Sequence, residues 1–187
     1  MQLRPTALPE VKIVVPARHG DARGFFAETW QRARYAAAGI AADFIQDNYA
    51  HNAAAGTVRG LHFQSMPAWQ AKLVYVPRGR VFAVALDLRP SSPRFGRHAA
   101  VELGATGGEQ IFVPHGFAFG YCTLEPDTGM IYKVDAPYAP ELDRGLALDD
   151  PALDIPWPVD RATAILSDKD RRHPRLRDLP RDWLKGA

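Results

Sequence analysis

The chain of 187 residues is 47% apolar and 24% charged, with a formal net charge of +2 and one cysteine. A chain of this length is expected to form one domain over residues 1–187, with a core that buries about 70% of the unfolded surface and needs no covalent staple. The charge is too small to point to nucleic acid, no apolar run is long enough to span a membrane, and Met1-Gln-Leu-Arg-Pro-Thr6 lacks the apolar core of a secretion signal. A cytoplasmic protein with neither nucleic acid nor membrane as partner is expected. Cys122 has no second cysteine for a disulfide or a CxxC zinc site, which leaves it the role of a small buried hydrophobe.

Taken in order, short β-forming runs alternate with turn residues. Val11 to Val15 reads as an opening strand, His19-Gly-Asp-Ala-Arg-Gly24 as a turn-rich loop, and Phe25 to Thr29 as a further strand. Thr29 is the expected N-cap of the one clear helix, Trp30 to Ala38, which Gly39 closes. Phe44 to Ala50 and the stretch Thr57 to Tyr75 follow, with a strand over Lys72 to Val76. Val81 to Leu88, His98 to Leu103, Gln110 to Val113, Phe117 to Leu124 and Met130 to Val134 complete the strands. Most end at proline or glycine, as in Pro77-Arg-Gly79 and Glu125-Pro-Asp-Thr-Gly129, where a ladder must stop. Pro151 to Pro158 reads as irregular surface chain, and a short helix after Pro180 is expected to dock through Trp183 and Leu184. Arg171, Arg172, Arg175 and Arg177, mixed with prolines and acids, read as a solvated tail. Many strands with essentially one helix predict a mainly β, antiparallel jelly roll whose interior holds a small ligand.

The chemistry is concentrated between Thr57 and Tyr75. Arg59 supplies an anion clamp, His62 a base that titrates near neutral pH, and Lys72 a compact cation for a developing oxyanion. A proton on carbon beside a ketone is too weakly acidic for imidazole unless a cation stabilises the enolate, so the three together suit that reaction. Strand alternation puts Lys72, Val74 and Val76 on one face and Leu73 and Tyr75 on the other. Arg59 and His62 differ by three and would face apart in a regular strand, so Gly60 is the expected place for a bulge that turns both inward.

Val58-Arg-Gly-Leu-His-Phe-Gln64 followed by Ala71-Lys-Leu-Val74 resembles the core of the dTDP-4-dehydrorhamnose 3,5-epimerase family, and the resemblance runs over nearly the whole chain. It implies a cupin-like double-stranded β-helix (a jelly roll) with a few short helices, a homodimer, no cofactor, and epimerisation at C3 and C5 of a dTDP-4-keto-6-deoxyhexose, dTDP-4-dehydro-6-deoxy-D-glucose. It also implies Asp170 as the carboxylate that orients His62 and Tyr132 as the general acid on the opposite face of the sugar. Asp21-Ala-Arg-Gly-Phe-Phe-Ala-Glu28 is similar to an early family motif and carries over Arg23 and Glu28 as nucleotide-sugar contacts. By the same resemblance Gln46, Asp47 and Asn48 contact thymine, ribose or phosphate, Arg59 and Lys169 face the diphosphate, Asp143 stands where the family often has glutamate, and Tyr138 lies along the base.

The family typically reads Pro-x-Gly-Phe-Ala-His-Gly-Phe where this chain has Pro114-His-Gly-Phe-Ala-Phe-Gly-Tyr121. Phe119 cannot donate a hydrogen bond, and this keeps a 3-only or 5-only epimerase on a related 4-keto nucleotide sugar as the alternative. Phe117, Phe119 and Tyr121 also fall on one strand face as an aromatic stripe. A metal-dependent cupin oxygenase needs two histidines one residue apart, and here Gln64 follows His62 at that spacing, so no metal is expected. A non-catalytic nucleotide-sugar-binding jelly roll accounts for Arg59 and the aromatic platform but gives no use to His62, Lys72, Tyr132 and Asp170.

Overall fold

The computed structural model describes residues 1–186. In chain order the strands are β1 (Gln2–Pro5), β2 (Lys12–Val15), β3 (Arg18–Asp21), β4 (Gly24–Ala27), β5 (Gln46–Asn52), β6 (Val58–Gln64), β7 (Lys72–Arg78), β8 (Arg80–Asp87), β9 (His98–Gly104), β10 (Gln110–Val113), β11 (Phe117–Thr123), β12 (Thr128–Val134) and β13 (Asp143–Gly145), with helix α1 (Arg32–Ala37) between β4 and β5. Two antiparallel sheets form the body. One runs β1-β2-β10-β7-β12-β5 and the other β13-β6-β11-β8-β9, while β3 and β4 make a separate hairpin. This is the jelly roll that the turn spacing predicts.

The inner faces of the two sheets share one core, in which Val74, Val76, Ala83, Ala85, Phe117, Phe119 and Tyr121 pack together. Size is matched across the strands: Phe119 pairs with Ala85 and Tyr121 with Ala83, so two alanines make room for two rings. On β7 the alternation is as expected, with Val74 and Val76 in this inner core and Leu73 outside, packed with Tyr35 of α1, Val14 and Ile40. The outer face of the second sheet is covered too. Val84, Leu86 and Ala118 pack there against Leu146, Leu153, Leu179 and Leu184 of the C-terminal chain. β8 is thus buried on both faces, and that is why Val81-Phe-Ala-Val-Ala-Leu86 is apolar without alternation.

Against β11, Phe119 pairs with His62 but Tyr121 pairs with Arg59, so Gly60 and Leu61 together stand opposite Gly120. This is the bulge that the Arg59–His62 spacing demands. Gly60 has φ +105°, and a Cβ on it would lie 2.7 Å from the Phe119 carbonyl oxygen and 2.8 Å from Gly120 Cα. Only glycine fits there.

Some local expectations are corrected. The helix begins at Arg32 rather than Trp30, and its cap is Gln31, whose side-chain oxygen accepts the Arg34 N–H at 2.6 Å; Thr29 does not cap it. Gly39 closes it as expected, at φ +77°. The segment from His19 to Gly24 is not a loop but most of the β3–β4 hairpin. β1 was not anticipated, because its four residues are exposed and hold to β2 through backbone pairing rather than a buried face. Pro151 to Pro158 is irregular as expected, yet Leu153 is buried and the Trp157 ring packs edge-on against Phe82 at 5.8 Å. The turn of 3-10 helix at Arg181–Leu184 docks through Trp183 and Leu184. Cys122 is buried, and burial pushes its thiol up to about 11. Among the described residues no helix is long and apolar enough to cross a membrane.

Candidate active site

A cavity of about 530 Å³ opens between the two sheets. Inward positions on β6, β11 and β13 contribute Arg59, His62, Phe119, Tyr121 and Asp143 from one sheet. From the other sheet β7, β12 and β5 contribute Lys72, Met130, Tyr132, Gln46 and Asn48. The C-terminal segment closes one side with Ser167, Lys169 and Asp170.

The His62 side chain is 35% exposed, and its Nε2 lies 2.5 Å from Oδ1 of Asp170, which is 4% exposed. Nδ1 is left as the ring nitrogen with no hydrogen bond among the described residues. Ser167 Oγ donates to Asp170 Oδ2 at 2.8 Å and accepts the Asp170 N–H at 3.1 Å, so a short turn fixes the carboxylate. Burial alone would raise the Asp170 carboxyl, but the partnering His173, His62 and Ser167 outweigh it and hold the group well below the usual carboxylate range. The result is an ionised acid fixed against one side of an imidazole, which selects the tautomer and supports the imidazolium.

Lys72 is buried and donates from Nζ to Gln70 Oε1 at 2.8 Å. Gln70 is oriented in turn by donating to the Ala136 carbonyl at 2.8 Å. Burial brings the Lys72 ammonium down to about 8, while the more distant Asp143 and Asp135 pull it back up. Among the described residues no carboxylate pairs directly with it, so its charge is open to an oxyanion in the cavity.

Tyr132 stands on the sheet opposite to that of His62. Burial raises its phenol and Arg59 lowers it, with a net shift upward, so the hydroxyl remains a proton donor at neutral pH. Arg59 donates from Nε to Asn52 Oδ1 at 2.9 Å, an oxygen that also accepts the Tyr121 hydroxyl at 3.2 Å. That contact steers the guanidinium and leaves its outer edge for a ligand. At the rim, Asp143 accepts the Tyr138 hydroxyl at 2.9 Å and pairs with Lys169.

Ten of the thirteen expected site residues therefore line the cavity: His62, Lys72, Tyr132, Asp170, Gln46, Asn48, Arg59, Tyr138, Asp143 and Lys169. Three do not. Asp47 lies on the outer face of β5, paired with Lys133 at 2.8 Å, because a strand cannot turn three successive side chains one way. Arg23 is 90% exposed at the tip of the hairpin and pairs with Asp21, while Glu28 pairs with Arg34 at 2.9 Å; neither reaches the cavity of its own chain. Lys169 is turned to Asp143 rather than left free for phosphate. Phe119 forms part of the cavity wall, and His115 does not take over its place, being paired with Asp135 at 2.9 Å outside the lining.

Sequence reasoning missed Gln70, Gln64 and His173. Gln70 had a signal: it is two residues before Lys72 and so shares its face. Gln64 is engaged fully in holding the Tyr138 loop, donating to the Ala68 and Pro137 carbonyls and accepting the Ala139 N–H at 2.7 Å. His173 lies in the arginine-rich tail, where nothing local marks it. Ligand atoms of His62, Asp170 and His173 come within 4.8 Å of one another. The 2.5 Å contact between His62 and Asp170 is a hydrogen bond between the two side chains.

Residues 5–178 match the family model described as dTDP-4-dehydrorhamnose 3,5-epimerase. The chain is 46% identical over 184 residues to the dTDP-4-dehydrorhamnose 3,5-epimerase of Sinorhizobium fredii, covering 96% of this chain and 92% of that protein. It is 42% identical over 173 residues to the enzyme of that name from Pseudomonas aeruginosa, covering 92% and 94%. The crystal structure of the dTDP-6-deoxy-D-glucose-3,5-epimerase of Legionella pneumophila Philadelphia 1, in complex with dTDP-4-keto-L-rhamnose, superposes with a TM-score of 0.93 at 38% identity, covering 98% of this chain and 96% of that one. A family model spanning most of the chain, and relatives this similar over nearly their full lengths, establish that the chain belongs to the dTDP-4-dehydrorhamnose 3,5-epimerase family.

Proposed function

We propose that the protein epimerises C3 and C5 of dTDP-4-dehydro-6-deoxy-D-glucose to give dTDP-4-dehydro-L-rhamnose without a cofactor. One observation carries this reading: an acid-supported imidazole and a protonated phenol project from opposing sheets into one cavity that also holds an ammonium with no carboxylate partner among the described residues. Inversion requires exactly that separation of roles, because the proton leaves one face of the sugar and another must reach the opposite face. His62 Nδ1 takes the proton from the carbon beside the C4 ketone, and Asp170 supports the resulting imidazolium. The bonding electrons move onto the C4 oxygen, where Lys72 steadies the enolate. Tyr132 then delivers a proton to the other face. The substrate's own ketone is the electron sink, so the chemistry calls for no metal or cofactor. Arg59, Gln46 and Asn48 hold the nucleotide portion, and the Tyr138, Asp143 and Lys169 group borders it.

The reading includes a homodimer and a cytoplasmic location. Arg23 and Glu28 are useful as nucleotide-sugar contacts only if the hairpin that carries them reaches another protomer's cavity. The same hairpin exposes Phe25 and Phe26 at 61% and 71%, large apolar surfaces for a monomer to leave in water. A second reading, epimerisation at one carbon only, is favoured by Phe119, which places an apolar ring on the strand beside His62 and leaves Lys72 as the main support for the enolate.

Proton NMR of dTDP-4-keto-6-deoxyglucose in heavy water with the protein alone is expected to show loss of both the C3 and C5 signals. Loss of one would select the single-carbon reading, and retention of both would overturn the assignment. Lys72→Ala is expected to lower kcat by about a hundredfold with KM within a few-fold, since the charge it steadies develops only in the transition state. The wild-type rate is expected to fall as pH rises past about 8, where Lys72 loses its proton, and this basic limb should be absent from the residual activity of Lys72→Ala. Equal effects on kcat and KM would make Lys72 a binding residue. Sedimentation equilibrium is expected to give twice the 20.7 kDa chain mass, shifted to monomer by Phe26→Asp. A monomeric wild type would contradict the dimer.

A further inference from the structure

We propose that His173 is a positioning residue that acts on His62 through Asp170. This rests on the reading of His62 as the base, and it assigns a role to a buried histidine that the reaction as described does not use.

His173 follows the single turn of 3-10 helix Asp170–Arg172, so it reaches back over the residue that begins the turn. Its side chain is 8% exposed, and Nε2 lies 3.3 Å from Asp170 Oδ1, the same oxygen that engages His62 at 2.5 Å. The ring stands edge-on to His62, with centroids 5.4 Å apart and planes at 78°. Room for it comes from Gly145, the residue paired directly with His62 on the neighbouring strand. A Cβ on Gly145 would stand 2.5 Å from Cε1 and 2.6 Å from Cδ2 of His173, so any other residue there would evict the ring. Two imidazoles are thus built around one carboxylate oxygen.

The second contact is not a finished hydrogen bond. The Nε2 atom of His173 is buried and its geometry toward Oδ1 falls short of bonding, which leaves a polar atom without a satisfied partner. Asp170 Oδ1 is the acceptor that the structure puts in reach. Catalytic contacts often align only when the reacting complex forms. With its proton on Nε2, His173 donates to Oδ1 and draws negative charge away from the His62 side. Asp170 then stays ionised and fixed in direction, but it grips the His62 proton less tightly and His62 remains free to act as a base. Removing His173 strengthens that grip, so His62 keeps its proton to higher pH. The other titratable groups that line the cavity with His62 and Asp170 are Arg59, Lys72, Tyr121, Tyr132, Tyr138, Asp143 and Lys169. All are unchanged in a His173 variant, so a difference between profiles reports His173 itself.

The test combines two readouts. In the free protein, the NMR titration of the His62 ring is expected to move to higher pH in His173→Phe and to return toward wild type in His173→Gln, whose amide restores a donor at the same reach. In turnover, His173→Phe is expected to lose about tenfold in kcat with KM unchanged, the size of one hydrogen bond to a charged group, and to lose activity at higher pH on acidification. An unmoved His62 titration in a folded His173→Phe protein overturns the proposal, as do equal losses in the Phe and Gln variants. The ring titration needs no substrate, so it is separable from a failure of the wild type to epimerise. If His173→Phe does not fold, nitrogen-15 NMR of the wild type decides: a proton on His173 Nε2 is expected, and one on Nδ1 overturns the role.

Discussion

The site depends on β6 presenting Arg59 and His62 to the same side. A regular strand separates residues three apart, so the two share a cavity only because Gly60 and Leu61 together occupy one step of the ladder opposite Gly120. That step requires a backbone at φ +105° and a position with no side chain, since the Phe119 carbonyl and Gly120 press against it. Phe119 and Tyr121 on the facing strand then need inward space, which Ala85 and Ala83 provide on the next strand. One local irregularity thus propagates through three strands and sets the inner wall of the cavity.

The second constraint is long in sequence and short in space. Asp170 lies 108 residues from His62 yet contacts it at 2.5 Å. It arrives there because the C-terminal chain from Leu146 to Leu184 is drawn over the outer face of β8, β11 and β6 by apolar packing. The tail that stabilises one face of the sheet therefore also carries the carboxylate that contacts His62. Charge in the cavity follows the same division. Asp170 serves His62, Asp143 serves Tyr138 and Lys169, and among the described residues Lys72 and Arg59 have no carboxylate of their own. The whole chain is nearly neutral, so this local excess of positive charge does not show in its composition.

What was legible in the sequence was what period and punctuation record. The strands with clear turns, the Lys72 and Val74 face, the bulge at Gly60 and the closure of the helix at Gly39 were all read from neighbours a few residues away. The stripe of Phe117, Phe119 and Tyr121 was read in the same way. Asp47 was misplaced because a motif read as a unit overrode the alternation that separates it from Gln46 and Asn48. β1 was missed because backbone pairing leaves no side-chain pattern. Asp170 and Tyr132 came from family resemblance alone, since nothing near them in the chain says which base or which cation they will face. His173 lay further out of reach: its role depends on a glycine 28 residues earlier, on a strand paired with His62.

The central claim is that removal and return of the proton are divided between His62 and Tyr132 on opposing sheets. It is tested most directly by Tyr132→Phe with the keto sugar in heavy water. The account predicts that deuterium still enters at the carbon beside the ketone, because His62 can remove a proton and return a deuteron on its own face, while inverted product is lost. Inverted product at near the wild-type rate, or no exchange at all, would contradict it.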